Sequence, residues 1–209
     1  LVTVLFVRWS VLCGTEVPGN RSSYAWMVTG GHLVRPSRPI NKKDNLEAPE
    51  IIYNPDLKEY YLFVSYDPLM TTYNVRVGRS DKAEGPFIDY FGKELKDTTN
   101  NFPILTAPYR FKNHSGWAGT AHCAVFTSDD GQYFMAHQGR LSPQNQMMDL
   151  HVRQVFFTKD GWPVVSPERY AGSNPREFSA ADLVGEWEII RVQEPLYERK
   201  LEAGTDIVG

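Results

Sequence analysis

One stretch of this sequence repeats, and the repeat limits the fold more than any other feature. Residues 50–66, EIIYNPDLKEYYLFVSY, run as an apolar segment, a polar turn carrying Asn54-Pro55-Asp56, and a second apolar segment. Residues 124–138, AVFTSDDGQYFMAHQ, follow the same plan with Asp129-Asp130-Gly131 in the turn, so that Tyr60 falls on Tyr133 and Leu62 on Met135. A third run follows each pair, Asn74-Val75-Arg76-Val77 in one copy and His151 to Val155 in the other. Each copy then reaches a glycine turn, Gly85-Pro86-Phe87 or Gly161-Trp162-Pro163. Short runs rich in Val, Ile, Tyr and Phe, punctuated by Asp-Gly and Asn-Pro, are strand and turn signals. A meander of this size cannot bury its apolar faces alone, so its repetition predicts an all-β fold of stacked sheets. A propeller answers this best, because radial repetition leaves only short, protected sheet edges.

No segment carries an amphipathic helical period of the usual length, which argues against a mostly helical chain. Between the meanders, residues 92–108 and 109–119 form connections longer than most, and loops of that length more often carry function than merely join strands. Composition shifts after Gly172: Ser173 to Glu177 reads as a polar linker, and Leu183 to Val192 starts a new strand. We therefore divide the chain into an unmatched N-terminal segment (1–30), the repeated β region (31–172), and a linker with the first strands of a truncated second β domain (173–209). Leu1 to Leu12 is apolar, but Arg8 interrupts it and no small-residue cleavage site follows, so it is not read as a signal peptide.

Charge narrows the partner. The chain has 209 residues, a formal net charge of -3 and no basic stripe interleaved with aromatics, which leaves no electrostatic footprint for nucleic acid or an anionic membrane. A neutral ligand such as a sugar fits better. Cys13 and Cys123 stand far apart and make no C-x-x-C pattern, so neither a zinc ribbon nor a dithiol redox site is expected.

The run Asn45-Leu46-Glu47-Ala48-Pro49-Glu50-Ile51-Ile52-Tyr53, followed by Tyr60 to Tyr66, resembles the segment that holds the general acid in family 43 glycoside hydrolases of the arabinan-degrading type. The resemblance continues through Thr72 to Ser80, Glu84-Gly85-Pro86-Phe87, Gly119-Thr120-Ala121-His122-Cys123-Ala124-Val125-Phe126 and Gly161-Trp162-Pro163-Val164. These motifs are ordered and collinear over residues 31–172, which makes chance a poor explanation. The resemblance implies a partial five-bladed β-propeller, its later blades, followed by the start of a small C-terminal β-barrel domain. It implies an inverting glycosidase that cleaves α-1,5-linked L-arabinan, a plant cell-wall polysaccharide, in a secreted, periplasmic or cell-surface setting. Other readings are a non-catalytic carbohydrate-binding propeller, or a family 43 β-xylosidase or α-L-arabinofuranosidase.

Inverting hydrolysis needs one carboxylic acid to protonate the leaving oxygen and a second carboxylate to activate water on the other face of the sugar. The resemblance makes Glu47 the acid, with Glu50 as the nearby competitor. Proline at 49 fixes its own φ and pushes Ala48 toward an extended conformation, which would hold Glu47 at the mouth of a strand in one orientation. The base aspartate belongs to an earlier blade in the family, and residues 1–30 offer no match to it, so no base is assigned and the chain reads as a fragment. By the same resemblance His122 would face a central calcium or sodium ion, held largely through water because such hard cations prefer oxygen ligands. Asp67, Tyr73 and Trp117, on loops next to the matched motifs, are the candidates for sugar contact. A propeller short of blades also suggests self-association through its open edges.

Overall fold

A computed structural model describes residues 27–29, 32–34, 46–96, 101, 103–143, 146–172, 179–189 and 205–208. Most of the N-terminal segment and the 173–177 linker therefore lie outside the described residues.

The described architecture is antiparallel β throughout. Strands β1 (Met27–Thr29) and β2 (His32–Val34) form a short hairpin. Strands β3 (Leu46–Asn54), β4 (Glu59–Tyr66), β5 (Asn74–Ser80) and β6 (Ile104–Thr106) form a four-stranded sheet in sequence order. After the short β7 (Trp117–Ala118), strands β8 (Ala124–Thr127), β9 (Tyr133–Leu141), β10 (Asp149–Phe157) and β11 (Pro163–Val165) repeat that meander, with β7 added against the end of β9. A 3₁₀ turn (Ala180–Leu183) and a hairpin of β12 (Glu186–Ile189) with β13 (Thr205–Val208) follow.

The two meanders are the two sequence repeats, each folding one copy into one blade. Asn54 makes the first turn: its Oδ1 accepts from the backbone N–H groups of Asp56 (3.0 Å) and Leu57 (3.2 Å), the local bonding that favours Asn in turns. Gly131 makes the equivalent turn in the second blade with φ 82°, a conformation suited to glycine. The blades stand side by side, with β3 next to β8 at one edge and β6 next to β11 at the other.

Alternation along β4 explains the packing. Tyr61 and Phe63 point into the seam between the blades, where Tyr73, Val75 and Val77 join them to meet Val125, Met135, Val155 and Trp162. Leu62, Val64 and Tyr66 point the other way and pack with Leu46, Phe87 and Leu95. A strand buried on both faces has to be apolar at nearly every position, as YYLFVSY is. Each large seam side chain such as Phe63, fully buried, contributes roughly 1.5–3 kcal/mol relative to exposure.

The repeat also sets equivalent positions in the two blades. Val64 pairs with Arg76 in the first blade, and His137 pairs with His151 in the second, so each blade buries basic side chains at one matching level.

Candidate functional site

Glu47 lies at the start of β3, opposite Ser65 of β4. Three residues on, Glu50 lies opposite Phe63, so β3 advances three residues where β4 advances two. This β-bulge holds the extra residue, and within it Ala48 takes a left-handed φ of 50° instead of the extended conformation expected before Pro49, because the bulge demands a kink there. In a regular strand, residues three apart face opposite sides of the sheet. The bulge restores parity, so Glu47 and Glu50 both face the seam.

Three elements converge on Glu47. Tyr73, in the β4–β5 connection, donates its phenol to Glu47 Oε1 at 2.5 Å. His122, just before β8, places Nδ1 3.4 Å from the Tyr73 hydroxyl and 4.0 Å from Glu47 Oε1. Ser65 Oγ accepts the backbone N–H of His122 at 2.9 Å and lies beside the Tyr73 phenol. Tyr73 is fully buried, and burial followed by the neighbouring Glu47 pushes its ionisation far above the usual phenol range. It therefore remains a donor at any working pH. Glu47 and His122 keep 38% and 60% of their side-chain surface, so the site opens to solvent at these two residues.

The approach to His122 is shaped by its left-handed φ of 61° and by Gly119, φ 62°. A Cβ on Gly119 would stand 2.7 Å from the Leu69 carbonyl oxygen, so only glycine fits that close backbone approach. Glu50 lies further along β3, near the Val125 backbone N–H. Desolvation by burial raises its carboxyl above the usual range, and that backbone N–H partly offsets the rise.

The remaining candidates lie elsewhere. Asp67, φ 74°, is buried on the opposite side of the first blade, bound to Arg76 at 3.2 Å and to Asn74 at 2.5 Å. Trp117 is buried edge-on against His151, at 4.5 Å between centroids, with His114 and Arg169 also against it. The structure thus brings Glu47, Tyr73 and His122 together and leaves Asp67 and Trp117 apart from them. It adds Ser65, whose signal in the sequence is a lone hydroxyl at a seam-facing position among Tyr61, Phe63 and Val64.

The described residues contain no group of three or more His, Cys, Asp or Glu side chains able to hold a metal ion. A single exposed imidazole suits an ion that keeps most of its own water, and does not make an oxygen cage for a bare one. Cys123, beside His122, is a buried free thiol.

Comparison with known proteins places this geometry. The model for glycosyl hydrolases family 43 matches residues 22–163, beginning inside the segment for which the sequence alone suggested no match. The extracellular endo-α-(1→5)-L-arabinanase 2 of Bacillus subtilis is 31% identical over 198 residues, covering 85% of this chain and 40% of the relative. The extracellular endo-α-(1→5)-L-arabinanase of Thermotoga petrophila is 29% identical over 194 residues, covering 85% of this chain and 39% of the relative. The chain thus spans about 40% of the length of these relatives. In three dimensions it resembles a crystal structure of the endo-1,5-α-L-arabinanase from Thermotoga petrophila, with TM-score 0.74, 24% identity, and coverage of 90% of this chain and 50% of the other. That likeness identifies the two meanders as blades of a β-propeller. With a family model matched across most of its length, the chain belongs to glycosyl hydrolases family 43.

Proposed function

We propose that this chain supplies the general-acid side of an inverting hydrolase of α-1,5-linked L-arabinan, with Glu47 as the acid. The observation that carries the reading is the convergence on Glu47: a bulge turns it into the seam, Tyr73 holds one carboxyl oxygen, and His122 stands beside it. The names of the two relatives supply the substrate, and their description as extracellular supports a secreted setting.

In this mechanism Glu47 gives its proton to the glycosidic oxygen as the bond to the sugar carbon breaks. Water attacks that carbon from the opposite face, activated by a carboxylate roughly 6.5–9.5 Å from the acid. We assign that base to an earlier blade, following the family resemblance, and to none of the described residues. His122 would hold a hydrated calcium or sodium ion, which supplies fixed positive charge near the reacting sugar. The residues of this chain orient the acid and shield it on the seam side.

Glu50 is the rival acid, because its carboxyl is raised by burial. Its side chain lies further along the strand, whereas Glu47 sits at the open end beside His122. The test is Glu47→Gln and Glu50→Gln in protein expressed from the complete reading frame, assayed on linear arabinan. Glu47→Gln is expected to lose about 10²–10⁴-fold in turnover, the usual contribution of a general acid. Unchanged turnover in that variant overturns the assignment. Oligosaccharide binding without product in the unaltered protein would instead support a carbohydrate-binding propeller.

A further inference from the structure

We propose that Tyr73, which lies beside Ser65, is a positioning residue for Glu47: its phenol occupies Oε1 and leaves Oε2 as the oxygen that delivers the proton. The inference rests on the reading of Glu47 as the acid and adds which of its two oxygens acts and what fixes it.

The geometry comes from four segments. Glu47 on β3 and Ser65 on β4 are directly opposite, so both side chains leave the sheet on the seam face. Tyr73 enters from the β4–β5 connection and donates to Oε1 at 2.5 Å. Ser65 Oγ is itself held by the His122 backbone N–H, on the segment leading into β8. Ser65 Oγ, held by the His122 N–H, lies beside the Tyr73 phenol, and the Tyr73 hydroxyl donates to Glu47 Oε1 with His122 Nδ1 3.4 Å from the same hydroxyl.

Two features make this more than packing. Tyr73 is wholly buried in the apolar seam core, so its ring cannot swing away from Glu47 without opening that core. Glu47, by contrast, is a flexible side chain with more than a third of its surface exposed, and it would otherwise sample several rotamers. Among the described residues, Oε2 has no hydrogen-bond partner, so it is the oxygen free to meet a leaving group. During the step the proton passes from Oε2 to the glycosidic oxygen. Tyr73 keeps its own proton, and the hydrogen bond to Oε1 strengthens as the carboxylate becomes charged.

The experiment compares Tyr73→Phe, Ser65→Ala and Glu47→Gln, made in the complete protein, on two substrates. One is linear arabinan, whose leaving oxygen needs a proton. The other is an arabino-oligosaccharide carrying a dinitrophenyl leaving group, which departs without one. Tyr73→Phe should lower kcat on arabinan by about 10–100-fold with KM changed little, the scale of a misplaced catalytic group. On the dinitrophenyl substrate it should stay close to the unaltered protein. Ser65→Ala removes one oxygen from the core and should give the same pattern at smaller amplitude. It serves as the readout if Tyr73→Phe fails to fold. Full arabinan turnover in both folded variants, or equal losses on both substrates, overturns the positioning role. Retained arabinan turnover in Glu47→Gln would instead overturn the acid assignment, so the two failures are distinguishable.

Discussion

The hydroxyl of Tyr61, on the second strand of the first blade, donates to the carbonyl of Gly161, in the last turn of the second, at 2.6 Å. This bond crosses the seam at the end away from Glu47. Burial, followed by the nearby Glu59, pushes the Tyr61 phenol up to about 12, so it stays a donor throughout the working range. Arg79 reinforces the junction: it donates to the Asp160 carbonyl at 2.8 Å and lies over the Trp162 ring at 4.5 Å. Tyr61→Phe keeps the ring and deletes the bond. It should cost about 1–3 kcal/mol, because a buried carbonyl loses its donor, and urea denaturation is the measurement.

A larger cost is expected at Asp67. Its carboxylate faces Arg76 in a fully enclosed setting, with Asn74 bridging the two. Asp67→Ala removes the acidic member and leaves a buried guanidinium beside the Tyr66 ring, 4.6 Å away. Breaking a buried pair from one side costs about 3–5 kcal/mol. The variant should therefore unfold at markedly lower denaturant than Tyr61→Phe. Equal midpoints would show that the pair contributes little.

The paired histidines of the second blade predict a pH response. His151 is pushed down to about 4 and His137 to about 3, in each case by desolvation first and by the Arg153 charge second. Both are neutral in the folded protein at neutral pH. His137 Nδ1 donates to the Gln138 carbonyl at 2.6 Å, and neither nitrogen of His151 has a hydrogen-bond partner among the described residues. The unfolded chain, with histidines near 6.5, binds more protons than the folded chain below that pH. Stability should therefore fall as pH drops through 6.5 and keep falling toward about 4 for His151 and about 3 for His137. Carboxylates contribute mainly at the acid end of that range, so the histidine signal is read between about pH 7 and 5. Thermal melts across it should slope downward on acidification, and a His137→Gln/His151→Gln double variant should flatten the slope. An unchanged slope would remove the histidines from the account.

Much of the fold was legible because the physics that makes a blade is local. Alternating apolar residues with Asn-Pro and Asp-Gly turns read directly as meanders, and the alignment of Tyr60 with Tyr133 anticipated equivalent strand positions. It also placed His137 where the first copy has Val64, and both turn inward. The site was legible only in part. Glu47 and His122 stood out through their motifs, but their neighbourhood depends on register between segments distant in sequence. Tyr73 reads as a loop residue with a ring to offer a sugar, yet the chain turning at Asp67 and Asn74 seats it in the core. Ser65 matters only because it lies opposite Glu47, and no local pattern announces that pairing. The C-terminal hairpin of β12 and β13 follows the expected start of a new strand after residue 183.

The bulge at Ala48 has a meaning for comparing relatives of this chain. It works as a parity switch: one added residue decides on which side of the sheet the carboxylate emerges, whatever residue occupies position 47. A related sequence could keep the glutamate and lose the insertion, and its acid would then leave the opposite face of the sheet, away from the seam between the two blades. An alignment gap at position 48 is therefore as informative as a substitution at position 47, and counting residues between Glu47 and Glu50 is a quick way to recognise chains that have kept the letter of the motif but not its geometry.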